Sequence, residues 1–366
     1  MTGPRVSVVC PTYNRSAALL GTLASVQAQT VRDFELLVVS DGSTDDTDGV
    51  VRAAAAQDDR ITLIRIPHQG HPSTPRNTGL AQARGGVVAY LDHDDRWRPD
   101  HLDVLLRAFA AGAALVATGF TRVDATGAVT AESRSLAMCW HPEIQLLGPL
   151  FEPSRVAHLR GLPEAVGGWR DGIGLEDWDL WVRLTDSGQD FTTVPERTAL
   201  LLDDTGSRRY RTPRRHLLPL AAFDDPRRAH AALRELQDER HSAALRSAHR
   251  ADTRAWYRRI SAGPRFHGPR GWDGDLDAAL DAALDGDAAD GSPLWPDLHL
   301  LPRQGRFVLA QTLWCSTEAH AERLRTLARR VQASHFALID TILAAPAPHP
   351  HRLRPVAPLE PLEPSR

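Results

Sequence analysis

The chain predicts an α/β fold: a mixed, mostly parallel sheet covered by helices on both faces, followed by a mainly α-helical C-terminal region. Three observations carry this expectation. Short β-rich apolar runs alternate with stretches of helical spacing through the first half of the 366 residues, the pattern of strands joined by crossover helices. Polar clusters fall directly after several of the runs, at 11–14, 41–43 and 92–95, where open α/β sheets bind their ligands. After about Pro213 the alternation stops and long helical segments take over.

The elements follow in order. Val6 to Cys10 is a strand closed by Pro11, and 15–29 is a helix with Leu19, Leu20, Leu23 and Val26 on one face. Phe34 to Val39 is the second strand and 45–56 the second helix; Ile61 to Ile66 is the third strand and 74–84 the third helix. Val87 to Leu91 is the fourth strand. Helix 99–109 starts near Pro99 and turns Leu102, Leu105, Leu106 and Phe109 inward. Ala114 to Phe120 is the fifth strand, and Val123 to Val129 reads as a hairpin about Ala125-Thr126-Gly127. The Gly-, Pro- and Arg-rich stretch 131–174 reads as loops and short strands, 175–184 as a helix, and Phe191 to Val194 as a last strand. Two long helices are expected over 225–259 and 317–343, the second with a stripe of Leu324, Leu327, Val331, Leu338 and Ile342. The domain division expected is 1–212, then 213–345 for acceptor docking or oligomerisation, then a Pro-rich, disordered tail over 346–366.

Composition excludes several classes. Hydrophobic content of 42% and charged content of 24% are those of a globular protein. A net charge of −3 offers no bulk attraction to nucleic acid or anionic membranes. All 43 basic residues are Arg, which removes lysine Schiff-base chemistry and the lysine of a P-loop. Together with the Ala and Pro content, this is the composition of a high-GC bacterial genome. Cys10, Cys139 and Cys315 lack zinc-cluster spacing and read as reduced thiols. No apolar stretch reaches the length of a membrane span, and the sequence opens on a strand rather than a signal peptide. A soluble cytoplasmic protein is expected.

The most informative segment is Tyr90-Leu91-Asp92-His93-Asp94-Asp95. A buried strand ending in three Asp brings like charges to one sheet edge, where they repel and are costly to desolvate. A hard divalent cation, Mg²⁺ or Mn²⁺, is the usual way to neutralise them. An isolated Asp-x-Asp is more often a solvated turn; here four further motifs stand with it. They are Cys10-Pro11-Thr12-Tyr13-Asn14-Arg15, the run from Val39 to Thr47 through Asp41-Gly42-Ser43, Pro75-Arg76-Asn77-Thr78-Gly79-Leu80, and Leu175-Glu176-Asp177-Trp178-Asp179-Leu180-Trp181.

This ordered set resembles glycosyltransferase family 2, inverting sugar-nucleotide enzymes of the GT-A fold (a Rossmann-like nucleotide-diphospho-sugar transferase fold), over roughly residues 5 to 205. The resemblance implies a nucleotide-sugar site of Pro11, Thr12, Tyr13, Asn14, Asp41, Arg76, Asp92 and His93. In it Asp41 accepts from the N3–H of uracil, which favours UDP, and Arg76 contacts the diphosphate, for which a guanidinium is well shaped. Asp94 is implied as the direct ligand of Mn²⁺ or Mg²⁺, with Asp92 as a ribose or metal contact; His93 points away from the metal. Asp177 is implied as the general base, with Glu176 orienting it. As a plain alternative, acidic residues at a helix start answer the helix dipole. Asp95 reads as a helix cap ahead of Pro99 rather than a catalytic group.

Trp169 is a candidate for stacking on sugar or acceptor. Trp178 is a weaker one, since Trp178 and Trp181 share a helix face and read more as core. Arg208 and Arg209 could reach the diphosphate. His68 and His71 read as loop histidines, and Asn77 and Gly79 as residues that let their helix pack closely on the sheet. The expected partners are a nucleotide-sugar donor and a soluble acceptor: a small natural product, a peptide or a glycan precursor. A homodimer through the C-terminal helices is a further expectation. Two other classes compete. A nucleotidyltransferase lacks support because no Gly-rich loop with a Lys follows the first strand. A non-catalytic binding module of the same fold is opposed by the intact Asp92, Asp94 and Asp177.

Overall fold

The computed structural model describes residues 3–171, 175–203, 215–286, 298–315 and 317–344. The chain forms two compact units. The first is Met1–His216 with Arg250–Gly291 and Leu313–Val331, and the second is Leu217–His249 with Ser292–Thr312 and Gln332–Arg366.

In the first unit the chain runs β1 (Val6–Thr12), α1 (Ser16–Gln27), β2 (Phe34–Asp41), α2 (Thr47–Ala55), β3 (Ile61–Ile66), α3 (Ser73–Gln82) and β4 (Val87–Tyr90). It continues through β5 (Arg96–Trp97), α4 (His101–Ala110), β6 (Leu115–Val123), β7 (Val129–Glu132), α5 (Pro142–Leu147), β8 (Val156–Leu159), α6 (Leu162–Ala165), α7 (Glu176–Asp186) and β9 (Phe191–Leu202). The strands form one sheet in the order β3-β2-β1-β4-β8-β6-β9-β5, with β7 beside β6. Pairing is parallel from β3 to β4 and between β6 and β9, and antiparallel where β8 joins β4 and β6.

β1 and β2 are buried along their whole lengths, as a parallel strand with helices on both faces must be. Apolar clusters lie on either side. Val6, Val8, Leu36 and Val38 pack with Leu19, Leu23, Val26 and Leu102 on one side; Val9, Leu37 and Tyr90 pack with Leu80, Trp169 and Trp181 on the other. Leu20, expected inward, is 58% exposed, so the inner face of α1 is narrower than its apolar spacing implies. Gly79 lets α3 lie on β1: a Cβ there would stand 2.4 Å from Val9 Cγ1. β9 runs well beyond the expected 191–194 because its register against β6 shifts around Gly119, which lets the strand pass Pro195, a residue with no N–H to donate.

The C-terminal region comprises β10 (Arg215–Phe223), α8 (Pro226–Gln237), α9 (Glu239–Ser261), α10 (Leu276–Gly286), β11 (Leu298–Arg303), β12 (Arg306–Trp314), α11 (Glu318–Val331) and α12 (Ala333–Ala344). The sheet β10-β12-β11 is an addition that the helical periodicity did not foretell. Each expected long helix is two. Asp238 is extended after α8, and its carboxylate accepts from the Arg240 N–H at 2.9 Å, capping the start of α9. The expected stripe also divides: Leu324, Leu327 and Val331 sit in an apolar cluster of the first unit with Trp178, Trp256 and Ile260. Among the described residues no helix is long and apolar enough to cross a membrane.

Candidate active site

Because β1, β2 and β4 are neighbours and parallel, their carboxyl ends bring Thr12, Asp41 and the 92–95 segment to one edge of the sheet. The carboxylates there are held apart by different partners. The backbone N–H of Asp92 donates to Ser154 Oγ at 3.0 Å, and its side chain accepts from Arg76 at 2.7 Å. Asp94 is partly exposed; burial, followed by the charge of Asp92, raises its pKa against the opposing influence of His93. Asp95 does not cap a helix, since α4 starts only at His101 with Asp100 before it. Its buried carboxylate instead accepts from Ser154 Oγ at 2.5 Å and from the Leu202 N–H at 2.9 Å, tying the turn to β9. Burial holds its pKa well above the usual range.

On the β1–β2 side, Thr12 is buried and its Oγ1 has no hydrogen-bond partner among the described residues. Pro11 is buried beside it. Asn14 adopts φ +47°, and its Oδ1 accepts from the Thr44 N–H at 2.8 Å, so its amide joins two loops rather than facing outward. The Asp41 carboxylate accepts from the N–H groups of Gln69 and Gly70 at 2.7 and 3.0 Å. His68 donates from Nδ1 to the Asp41 carbonyl at 2.9 Å and stacks on the half-exposed Tyr13 ring, centroids 4.2 Å apart. Two carboxylate lone-pair positions thus already serve the protein, and His68 belongs to the site although it reads as a plain loop residue.

Arg76 joins the two halves of the site. It is 3% exposed and donates to Asp92 at 2.7 Å and to Glu176 at 3.0 Å. Burial disfavours its charge, but the two carboxylates more than offset that, and the guanidinium stays protonated. Arg76 therefore meets carboxylates directly, beyond the diphosphate contact expected of it. Glu176 and Asp177 open α7 just after Leu175, which is held at φ +61°. For a branched residue this conformation is strained, and such strain concentrates at functional sites. Asp177 is pushed up to about 7, first by desolvation and then by the charge of Glu176; Arg76 acts in the opposite direction. His71, also read as a loop residue, lies with Nε2 3.8 Å from Glu176 Oε2 and Nδ1 3.4 Å from Asp171.

Neither candidate stacking tryptophan offers an open face. Trp169 is 3% exposed, lies beneath the Arg76 guanidinium at 4.5 Å and donates to Tyr90 Oη at 3.1 Å. Trp178 is 1% exposed and donates to the Gln145 carbonyl at 2.7 Å. Both are core residues because their N–H groups find partners inside. Asn77 does more than allow close packing: it exchanges hydrogen bonds with the Trp169 backbone at 2.8 and 2.9 Å, fastening the loop before α7 to α3. The imidazole Nδ1 of His93 is buried without a hydrogen-bond partner among the described residues. Arg208 and Arg209 lie outside the described residues.

Asp92 and Asp94 suit a hard divalent cation. Both are carboxylates, the charge of Asp92 adds to the proton affinity of Asp94, and Mg²⁺ or Mn²⁺ is commonly held by one or two carboxylates with substrate oxygens completing the shell. Among the described residues no group of three or more His, Cys, Asp or Glu could hold a metal by itself.

This sheet order, with acidic motifs at the carboxyl ends of β2 and β4 and an acidic pair opening α7, defines a nucleotide-diphospho-sugar transferase fold of the GT-A type. Residues 7–166, somewhat under half of the chain, match the model of glycosyl transferase family 2 and form a domain of that family. Over 152 residues it is 36% identical to the succinoglycan biosynthesis protein ExoO of Rhizobium meliloti, covering 41% of each. Over 114 residues it is 37% identical to a GalNAc(5)-diNAcBac-PP-undecaprenol beta-1,3-glucosyltransferase of Campylobacter jejuni, covering 31% of this chain and 37% of that one. The match thus spans about two fifths of these relatives' length. The crystal structure of S. aureus TarS 1-349 in complex with UDP-GlcNAc superposes with a TM-score of 0.51 at 16% identity, over 93% of this chain and 90% of that one, which establishes the shared fold.

Proposed function

We propose that the chain transfers a sugar from a nucleotide-sugar, UDP-linked by preference, to an acceptor nucleophile by a single inverting displacement. The observation that carries this reading is the Arg76 bridge, which brings the donor-side Asp92 and the acid pair Glu176-Asp177 into one site. Thr12, Tyr13, Asn14, Asp41 and the 92–94 segment form the donor side. Asp92 and Asp94 would hold Mn²⁺ or Mg²⁺, which neutralises charge developing on the departing diphosphate. Arg76 adds a fixed positive charge in a buried setting, where preorganised electrostatics count most. Asp177, titrating near neutrality, suits proton removal from the acceptor, since a base works best with a pKa close to the working pH. Glu176, gripped by Arg76, orients it. The acceptor classes are those expected above: a small natural product, a peptide or a glycan precursor.

The test is calorimetric binding of UDP, GDP and dTDP with Mn²⁺ or with chelator, to the wild type and to Asp94→Ala. Binding of UDP that needs both Mn²⁺ and Asp94 is the expected result. Metal-independent binding would refute the role of Asp92 and Asp94 as metal ligands, and binding of none of the three nucleotides would refute the donor site.

A further inference from the structure

The two ion pairs of Arg76 do not by themselves fix its guanidinium, because its Nε, though buried, has no hydrogen-bond partner among the described residues. The plane is set from below by Trp169, whose ring centroid lies 4.5 Å from Cζ. A guanidinium at that range is attracted by the negative face of an indole, more strongly when water is excluded. The indole is itself locked. Trp169 Nε1–H donates to Tyr90 Oη at 3.1 Å, Tyr90 O–H donates to His158 Nε2 at 2.8 Å, and His158 Nδ1–H donates to the Leu159 carbonyl at 2.8 Å. The direction is unambiguous. A carbonyl can only accept, so Nδ1 carries the proton, and burial lowers the His158 pKa to about 4, which keeps the ring neutral. Edge contacts to Tyr90 and Trp181, at 5.0 and 5.4 Å between centroids, prevent the indole from tilting.

We infer that Trp169 is a positioning residue: its indole face holds the Arg76 guanidinium between Asp92 and Glu176, and the Tyr90–His158 chain holds the indole. The catalytic consequence rests on the reading of Asp177 as the base. Among the described residues, the charged groups that act most on Asp177 are Glu176 from its own helix, Arg76 from α3 and Glu152 from the segment before β8. Glu176 is in turn faced by Arg76 and His71. With the indole removed, only the longer ion pair to Glu176, at 3.0 Å against 2.7 Å to Asp92, opposes a lean of the guanidinium toward Asp92. Glu176 then stands less compensated beside Asp177, and Asp177 keeps its proton to higher pH.

The test needs no substrate. The difference in urea-unfolding stability between chains with Asp177 and with Asp177→Asn is followed against pH, and its midpoint reports the titration of Asp177. The midpoint is measured in otherwise wild-type, Trp169→Leu, Trp169→Phe and Tyr90→Phe backgrounds. Trp169→Leu is expected to raise it by about half a pH unit or more, as loss of a compensating cation requires. Trp169→Phe, which keeps an aromatic face, should leave it close to wild type, and Tyr90→Phe should raise it by less than Trp169→Leu does. An unchanged midpoint in Trp169→Leu, or an equal shift in Trp169→Phe, overturns the inference. Should Trp169→Leu fail to fold, Tyr90→Phe decides: an unchanged midpoint overturns it. A shifted midpoint in a protein that binds no UDP with Mn²⁺ would leave the positioning role standing and remove the transferase reading alone.

Discussion

Asp177→Asn should make the protein more stable at alkaline pH while abolishing transfer. The native structure raises the Asp177 pKa from 3.8 to about 7, chiefly because the carboxylate is desolvated and stands next to Glu176. At about 1.36 kcal/mol per pH unit, that shift corresponds to at most roughly 4 kcal/mol of differential stability between the two protonation states. The sign follows from proton binding. Between the two values the native state holds a proton that the unfolded chain has released, so stability falls as pH rises. The contribution is fully present below about pH 4 and lost as pH passes through about 7. Asn mimics the protonated acid and cannot ionise. Urea unfolding from pH 4.5 to 8.5 should therefore show the variant close to wild type at the acid end. It should gain on the wild type steadily through neutrality and level off, by a few kcal/mol, above about pH 8. A difference that does not vary with pH, or a variant less stable than wild type at pH 8, would refute the argument that Asp177 is held protonated by burial.

Other expectations test neighbouring parts of the site. Arg76→Met leaves the carboxylates of Glu176 and Asp92 facing each other without their shared cation, and should cost about 3–5 kcal/mol in urea unfolding; a loss under about 1 kcal/mol would mean that the bridge is not structural. Gly79→Ala drives a methyl to 2.4 Å from Val9 Cγ1 and should cost about 1–3 kcal/mol by the same measurement. With a UDP-sugar that the protein turns over as donor, kcat/KM for UDP release should rise with pH through about 7 as Asp177 ionises, and a profile flat from pH 5.5 to 8.5 would remove Asp177 as the base.

Much of the fold was legible because its causes are local. A parallel strand buried on both faces is mostly apolar, with its few buried polar groups paired inside as Ser7 is with Glu35, so β1, β2 and β4 announce themselves, and the motif residues follow because a strand's carboxyl end is the next residue in the chain. Two kinds of feature were not legible. The Asp95 carboxylate looks like a cap in sequence, yet it bonds Ser154 and Leu202, residues far along the chain that only the fold brings near. His68 and His71 look like loop residues because their partners, Tyr13, Asp41, Asp171 and Glu176, are distant in sequence. In the C-terminal region β11 and β12 form a tight hairpin about Gln304-Gly305, both at positive φ, a local turn that a reading of this region by helical periodicity passes over.

The sequence by itself determined the alternating architecture, the family and the identity of the acidic groups, since these depend on residue type and short spacing. Tertiary structure alone decided how those groups are used. Arg76 and Glu176 lie 100 residues apart, and only the packing of α3 and α7 on one sheet edge turns a diphosphate-seeking arginine into a bridge between carboxylates. The same packing makes Trp169 the floor beneath that arginine rather than a platform for sugar. Charge interactions and desolvation depend on distance and burial in space, and no spacing along a chain encodes either.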